Sequence, residues 1–280
     1  MGTAKRERKK ENRRLKLDDE ARRDRARRTR RLVLRVFVVV GVALGIGFLI
    51  WLSGRDDAAV EVTDDSATAT ETETTEPAPD RTFPPPPAGE TLTGPTPCPP
   101  AEGADDRVAQ FAEAPPVCIE DGRTYTAIVE TNLGTLTIEL DSAAAPITVN
   151  NFVVLARYRY FDGTECHRAI PKFVVQCGDP TASGTGDPGY SFVDELPAAG
   201  AYRIGSLAMA NSGPNTNGSQ FFIVTGADGA NLPPQYSLFG RVTAGLDTTL
   251  PAMDSLGNPQ GNGVPPLEPI LIRSVTIVEG

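Results

Sequence analysis

From Val36 to Leu52 the chain reads VFVVVGVALGIGFLIWL, 17 residues without a charge. Extending the run back to Leu32 gives 21 residues interrupted only by Arg35. At 1.5 Å per residue that is about 30 Å of helix, the thickness of a bilayer's hydrocarbon core. Arg35 sits near one end, where a long cation can snorkel to the interface, and Trp51 sits at the other boundary. A cleaved signal peptide is the competing reading, but its apolar region normally runs about 7–15 residues behind a shorter basic lead-in. The sequence therefore predicts an uncleaved transmembrane helix over 32–52, a basic cytoplasmic tail over 1–31, and everything beyond residue 52 outside the cytoplasm. This is a single-pass arrangement in the cell membrane.

Charge divides the chain at the same place. Residues 1–35 hold 16 Lys/Arg and 6 Asp/Glu, a net of +10; the whole chain carries −9, so residues 36–280 carry −19. The basic tail could neutralise phosphates, but Glu7, Glu11, Asp18, Asp19, Glu20 and Asp24 interrupt it and it abuts the apolar run. It reads as a topology determinant attracted to anionic headgroups, and no nucleic-acid partner is expected. Residues 53–97 turn to Asp, Glu, Thr, Ala and Pro, too few apolar groups to offset the entropy of ordering, which predicts a disordered acidic tether. Residues 98–122, with a cysteine near each end, read as a lead-in segment.

The folded domain is expected over 123–280. TAIVET and TLTIEL flank Asn132, Leu133 and Gly134 and predict a hairpin. PITVNNFVVLARY predicts a helix that Pro146 opens, with Ile147, Val149, Phe152, Val153 and Ala156 on one apolar face. Short strands follow at TECHRAI, KFVVQCG, SLAMA, QFFIVT, YSLFGRV and ILIRSVTIVEG, and a second helix near Pro251. Strands this short between Gly, Pro and Asn turns indicate a mainly β fold, an antiparallel sandwich or a closed barrel.

Cys98, Cys118, Cys166 and Cys177 are four cysteines in a region read as extracytoplasmic, which permits disulfides in any of three connectivities. A Cys98–Cys118 bond would close a short Pro-rich loop and add about 3 kcal/mol by the chain-entropy relation. Neither pairing nor oxidation state follows from spacing. No cysteine pair has zinc-site spacing and His167 is the only histidine, so no metal is expected. The sequence from Gly184 to Gly189, GTGDPG, spells G-x-G-x-x-G, but Pro188 and the absence of a following helical pattern make it a surface loop. Asn217, Gly218 and Ser219 spell a glycosylation sequon. A hydrolase built on His167 lacks any G-x-S-x-G nucleophile turn.

Three segments belong together: YFDGTECHRAIPKFVVQCGDP (160–180), LAMANSGPNTNGSQFFIVT (207–225) and NLPPQYSLFGRV (231–242). They resemble the cyclophilin family of peptidyl-prolyl cis-trans isomerases. The ordered matches HR-x-I-P-x-F-x-x-Q-x-GD and MAN-x-GPNTNGSQFF follow the helix PITVNNF, and the resemblance covers roughly 123–280. It implies a closed antiparallel eight-stranded β-barrel with two helices, no cofactor, proline-containing polypeptides as clients and a monomeric catalytic domain. It makes Arg168 the catalytic group, with Gln176 and Asn211 beside it, Asn211 acting through its backbone. Phe173, Phe222 and Leu232 would hold the proline ring, Gln220 would add a side-chain hydrogen bond, and Val174, Met209, Ala210 and Tyr236 would line the groove. Strand alternation turns Phe222 to the pocket and Phe221 away from it. His167 would be a packed, hydrogen-bonded structural ring.

The residue types suit the reaction on physical grounds. Amide resonance sets a rotation barrier of about 18–20 kcal/mol. Rotation returns a lone pair to the proline nitrogen, and a fixed guanidinium can donate to it more strongly in the twisted state than in the planar one. Arginine stays protonated, so no proton transfer is required.

Two positions depart from the family pattern. Asn231 stands where many eukaryotic cyclophilins have tryptophan, with one extra residue in the approach, and Tyr236 replaces a rim histidine; weaker binding of cyclosporin is the expectation. Cys166 and Cys177 fall on neighbouring strands of the matched hairpin, beside Arg168 and Gln176. The reading is a membrane-anchored isomerase of extracytoplasmic proteins. The alternative is a proline-peptide binding module or chaperone with little catalysis.

Overall fold

The computed structural model describes residues 87–280. The basic tail, the 32–52 run and most of the 53–97 stretch lie outside the described residues. Among the described residues no helix is long and apolar enough to cross a membrane.

Among the described residues ten strands, three α-helices and one 3-10 turn follow in chain order. β3 (Tyr125–Thr131) and β4 (Gly134–Leu140) form the expected hairpin, with Tyr125, Ala127 and Val129 facing inward beside Leu136, Ile138 and Leu140. β5 (Arg168–Ile170), β6 (Val174–Cys177), β7 (Ser206–Met209), β8 (Phe221–Val224), β9 (Leu238–Ala244) and β10 (Ile272–Glu279) complete an eight-stranded sheet of order β10-β3-β4-β9-β7-β8-β6-β5. Every neighbouring pair in it is antiparallel. Its two edges meet just before β5 and β10, where Glu165 bridges Leu271, Cys166 N–H donates to the Ile270 carbonyl at 2.8 Å and Ile272 N–H to the Thr164 carbonyl at 2.8 Å. The edges are joined by that single bridge rather than by a continuous ladder.

Helix α1 (Pro146–Arg157) opens on proline, whose missing N–H is one of the four that a first turn leaves unpaired. Ala145 at the N-cap cannot accept a hydrogen bond through its side chain, and the Glu195 carboxylate substitutes, accepting from the N–H groups of Ile147 at 3.0 Å and Thr148 at 2.8 Å. Val149, Phe152, Val153 and Ala156 are buried as expected, whereas Ile147 is 45% exposed. α2 (Ala227–Ala230) is a single turn. α3 (Thr249–Ser255) is the second expected helix, and Pro251 lies in its first turn, where it breaks no hydrogen bond.

Two strands run counter to the sequence reading. β1 (Glu90–Leu92) lies inside the stretch assigned to the tether and β2 (Val108–Phe111) inside the lead-in, and they pair in parallel as a separate two-stranded sheet. Ordered backbone therefore begins before residue 98. The segment forms a strap over the end of α1: Ala104 N–H donates to the Arg157 carbonyl at 2.7 Å and Val108 N–H to the Tyr158 carbonyl at 3.0 Å, satisfying groups that a helix end leaves open. Asn150 pins the strap's far end, its Oδ1 accepting from Cys118 N–H at 2.7 Å and its amide donating to the Pro116 carbonyl at 2.8 Å.

Alternation along β6, β7 and β8 separates two apolar clusters. The larger holds Val175, Leu207, Met209, Phe221 and Ile223 with the rings of Phe152, Phe161 and Phe239. The smaller, on the other face, holds Val174, Tyr202, Ala208, Phe222 and Val224, with Phe173, Ala210, Leu232 and Tyr236 packed on it. The first is the core; the second positions the site.

Candidate active site

The register of four strands sets the site's geometry. Arg168 on β5 pairs with Gln176 on β6, Gln176 with Phe222 on β8, and Phe222 with Ala208 on β7. Neighbouring strands lie about 4.8 Å apart, so these residues form one row on the face away from the core. The row is polar at the Arg168 end and apolar at the other.

At the polar end Arg168 Nη1 donates to Gln176 Oε1 at 3.1 Å, and Gln176 Nε2 donates to Gln220 Oε1 at 2.9 Å. Gln220 Nε2 in turn donates to the carbonyls of Gly186 at 2.9 Å and Gly184 at 3.1 Å. Arg168 Nε and Nη2 are held by Asn262, through its carbonyl and Oδ1, each at 3.0 Å. Three of the guanidinium's five N–H groups are thus engaged, and two are left for a ligand. Burial pulls the Arg168 pKa below its ordinary value, with the nearby Tyr236 opposing. An arginine starts so high that it stays a cation at neutral pH.

At the apolar end Phe222 meets Tyr236 edge to face, ring centroids 5.3 Å apart. Phe173, Val174, Ala210 and Leu232 complete a cup with them. Phe221, one residue before Phe222, points into the core against Phe152 at 5.5 Å and Phe161 at 5.6 Å. The alternation expected of this pair holds. Tyr236 is fixed through Tyr202, whose hydroxyl donates to the Tyr236 carbonyl at 2.7 Å and accepts from its N–H at 3.2 Å.

Asn211 sits beside Ala210 at the end of β7. Its side chain is occupied, Nδ2 donating to the Gln235 carbonyl at 2.9 Å and Oδ1 accepting from Gly213 N–H at 3.3 Å. No hydrogen bond among the described residues takes its backbone groups, which suits a backbone role. Met209 departs from the expected lining: its side chain is 1% exposed and packed in the core, because it has the same parity on β7 as Leu207.

His167 is buried as expected, but among the described residues its ring makes no hydrogen bond, and its buried Nδ1 is left without a partner there. Burial lowers its pKa; Asp179 opposes this and Arg168 adds to it. Asn262 is the functional neighbour that the sequence reading missed. It stands in the left-handed region at φ 56°, which asparagine tolerates, and the only sequence signal was its place between Gly261 and Gly263. The cysteines pair as Cys98–Cys118 and Cys166–Cys177, with Cα separations of 5.4 and 3.9 Å. The second bond joins the residue two positions before Arg168 to the one after Gln176.

An apolar cup beside a fixed, partly desolvated guanidinium with free donors can hold a small ring and stabilise charge that develops next to it. Comparison with known proteins points the same way. Residues 126–277 match the family model described as cyclophilin type peptidyl-prolyl cis-trans isomerase/CLD. The probable peptidyl-prolyl cis-trans isomerase B of Mycobacterium leprae is 39% identical over 173 residues, 56% of this chain and 58% of that protein. The corresponding Mycobacterium tuberculosis protein is 42% identical over 164 residues, 52% of each. The chain thus spans little more than half the length of these mycobacterial relatives. Peptidyl-prolyl cis-trans isomerase-like 3 of Rhizopus delemar is 41% identical over 53% of this chain and 92% of its own length. A crystal structure of a Cryptosporidium parvum cyclophilin type isomerase superposes with a TM-score of 0.51 at 32% identity, covering 56% of this chain and 99% of that one. With more than half of its length matched, over the very strands that carry Arg168, Gln176 and Phe222, the chain belongs to the cyclophilin-type peptidyl-prolyl cis-trans isomerase family.

Proposed function

We propose that the protein catalyses cis-trans isomerisation of X-Pro bonds in polypeptides outside the cytoplasm, from a domain tethered to the membrane through the 32–52 span. The proline ring occupies the cup of Phe173, Phe222, Leu232 and Tyr236. Asn211 holds the residue before proline through its backbone, and a free Arg168 N–H donates to the proline nitrogen as its lone pair returns. The cup excludes water and so strengthens that contact. Uncatalysed isomerisation takes about 10–100 s, long enough to limit folding of an exported chain. The catalytic domain acts as a monomer, and its sheet works as a closed barrel, a reading that the Glu165–Leu271 bridge between the two edges supports. A related cyclophilin has been crystallised in the presence of the proline-containing dipeptide Ala-Pro.

The observation that carries the reading is the in-register row of Arg168, Gln176 and Phe222. A binding module would need the cup but not a desolvated arginine tied by three hydrogen bonds. The test is a proline-isomerisation assay on the full chain and on Arg168→Ala. Catalysis lost in a variant that keeps its circular dichroism supports the enzyme. A native chain that binds proline peptides without accelerating isomerisation shows a binding module instead.

A further inference from the structure

The hydrogen-bonded row Arg168–Gln176–Gln220 ends on the loop GTGDPGY, residues 184–190, through the carbonyls of Gly184 and Gly186. An amide side chain has a donor end and an acceptor end, and the groups that the loop turns to Gln220 are both carbonyl acceptors. Gln220 must therefore turn its NH2 to the loop and its oxygen to Gln176. Gln176 must then turn its own NH2 to Gln220 and its oxygen to Arg168. The loop carbonyls set the direction of every bond up to the guanidinium. A loop that withdrew would let either amide turn over, and a reversed Gln176 would aim two donors at a cation.

The loop is held from both sides. On the inner side Asp179 Oδ2 accepts from Gly186 N–H at 3.0 Å. On the outer side the strap reaches it: Phe111 N–H, at the end of β2, donates to the Pro188 carbonyl at 2.8 Å. The Phe111 ring is buried among Tyr158, Tyr160 and Tyr190, edge-on to Tyr190 at 6.2 Å. The Tyr160 hydroxyl bonds Ser219, the residue before Gln220, at 2.9 Å. Gly189 adopts φ +101°, and a Cβ there would lie 2.1 Å from the Phe111 carbonyl oxygen, so only glycine lets strap and loop come this close. Phe111 lies before the family-matched residues 126–277.

We infer that Phe111 is a positioning residue for the isomerase site, acting through the 184–190 loop to fix the amide orientations of Gln220 and Gln176 and hence the aim of Arg168. The inference rests on the proposed isomerase reading. The strap is in this view a part of the active site's support and not only a cover for α1.

The experiment compares the full chain with Phe111→Ala, Phe111→Leu, Gln220→Ala and the Phe111→Ala/Gln220→Ala pair. It records kcat and KM on a proline tetrapeptide, together with the side-chain amide resonances of Gln176 and Gln220. Phe111→Ala is expected to lower kcat about fivefold with KM little changed, a coupling of the size packed neighbours show. The two amide resonances shift, Phe111→Leu recovers most of kcat, and in the Gln220→Ala background Phe111→Ala causes no further loss. Losses that multiply in the double variant, or a folded Phe111→Ala with native kcat, overturn the inference. Should Phe111→Ala fail to fold, the milder truncation Phe111→Val takes its place: native kcat with unshifted amide signals overturns the inference, and lowered kcat with shifted signals supports it. A native chain without isomerase activity defeats the isomerase reading itself, and the resonances then still decide whether Phe111 orients the two amides.

Discussion

Asn262 accepts two hydrogen bonds from Arg168, one from Nε to its carbonyl and one from Nη2 to its Oδ1, each at 3.0 Å. One asparagine thus aligns the guanidinium plane from the side opposite Gln176. Replacing it by glycine keeps the backbone carbonyl and the left-handed φ of 56° while deleting Oδ1. Hydrogen bonds to charged groups contribute about 1.5–3 kcal/mol, and about 1.4 kcal/mol is tenfold in rate. Asn262→Gly is therefore expected to lower kcat/KM roughly tenfold, less than Arg168→Ala does, with little change in thermal midpoint. Steady-state assays on the three chains check the order; an Asn262→Gly rate equal to the native one shows that the Asn262 side chain does not align the arginine.

Much of the site was legible because it rests on strand alternation. Phe221 and Phe222 are adjacent and chemically equal, and parity on β8 alone sends one to the core and the other to the cup. The same rule, followed one strand over, would have removed Met209 from the groove lining, since Ala208 is the residue facing Phe222 across the β7–β8 pair. Asn262 was not legible: it comes to Arg168 from 94 positions away, on a three-residue turn with no periodicity. The strap was hidden for a related reason. β1 and β2 have three and four residues within Pro-rich and polar surroundings, and their parallel pairing is satisfied by contacts with α1 and the 184–190 loop that no local pattern encodes. The cysteine pairing needed the register of β5 against β6 before its three alternatives reduced to one.

Cyclosporin is expected to bind this domain more weakly than it binds cyclophilins that carry the tryptophan. Asn231 caps the C-terminal end of the one-turn helix α2 and is exposed, offering a small amide where an indole would cover the ligand. Tyr236 cannot supply that surface, because its ring is committed to the edge-to-face contact with Phe222. Titration calorimetry on the native chain is the check, and nanomolar affinity contradicts the argument.

The Cys98–Cys118 bond joins residues 20 positions apart across the strap. By the chain-entropy relation a loop of that length is worth about 3 kcal/mol. Replacing both cysteines by serine is expected to lower the unfolding free energy by that order, read as a drop in the urea midpoint at unchanged slope. Thiol titration of the unfolded native chain should find no reactive thiol before reduction and four after it, since among the described residues no cysteine is free. Two reactive thiols before reduction would mean that one of the two bonds is absent.

Glu165 gives the fold a pH dependence of unusual sign for a carboxylate. It is 5% exposed at the bridge between the sheet's edges, its carboxylate has no hydrogen-bond partner among the described residues, and burial pushes its pKa up to about 7. Its ordinary value is 4.5. Below that value both the folded and the unfolded chain hold the proton, and the stability associated with neutral Glu165 is fully present. Between 4.5 and about 7 the unfolded chain releases its proton first, so stability falls as pH rises, and above about 7 the loss is complete. His167 acts oppositely. Burial lowers its pKa, so the unfolded chain binds the proton more readily below about 6.5 and stability falls as pH drops there. The two slopes partly cancel in the native chain and are separated by substitution. Glu165→Gln keeps the shape and removes the titration. It is expected to be more stable than the native chain at pH 8, with the difference shrinking as pH falls towards 4.5 and acid sensitivity from His167 laid bare. Urea unfolding of both chains across that range is the measurement. A stability difference independent of pH would place the Glu165 carboxylate in water and remove this account of the seam.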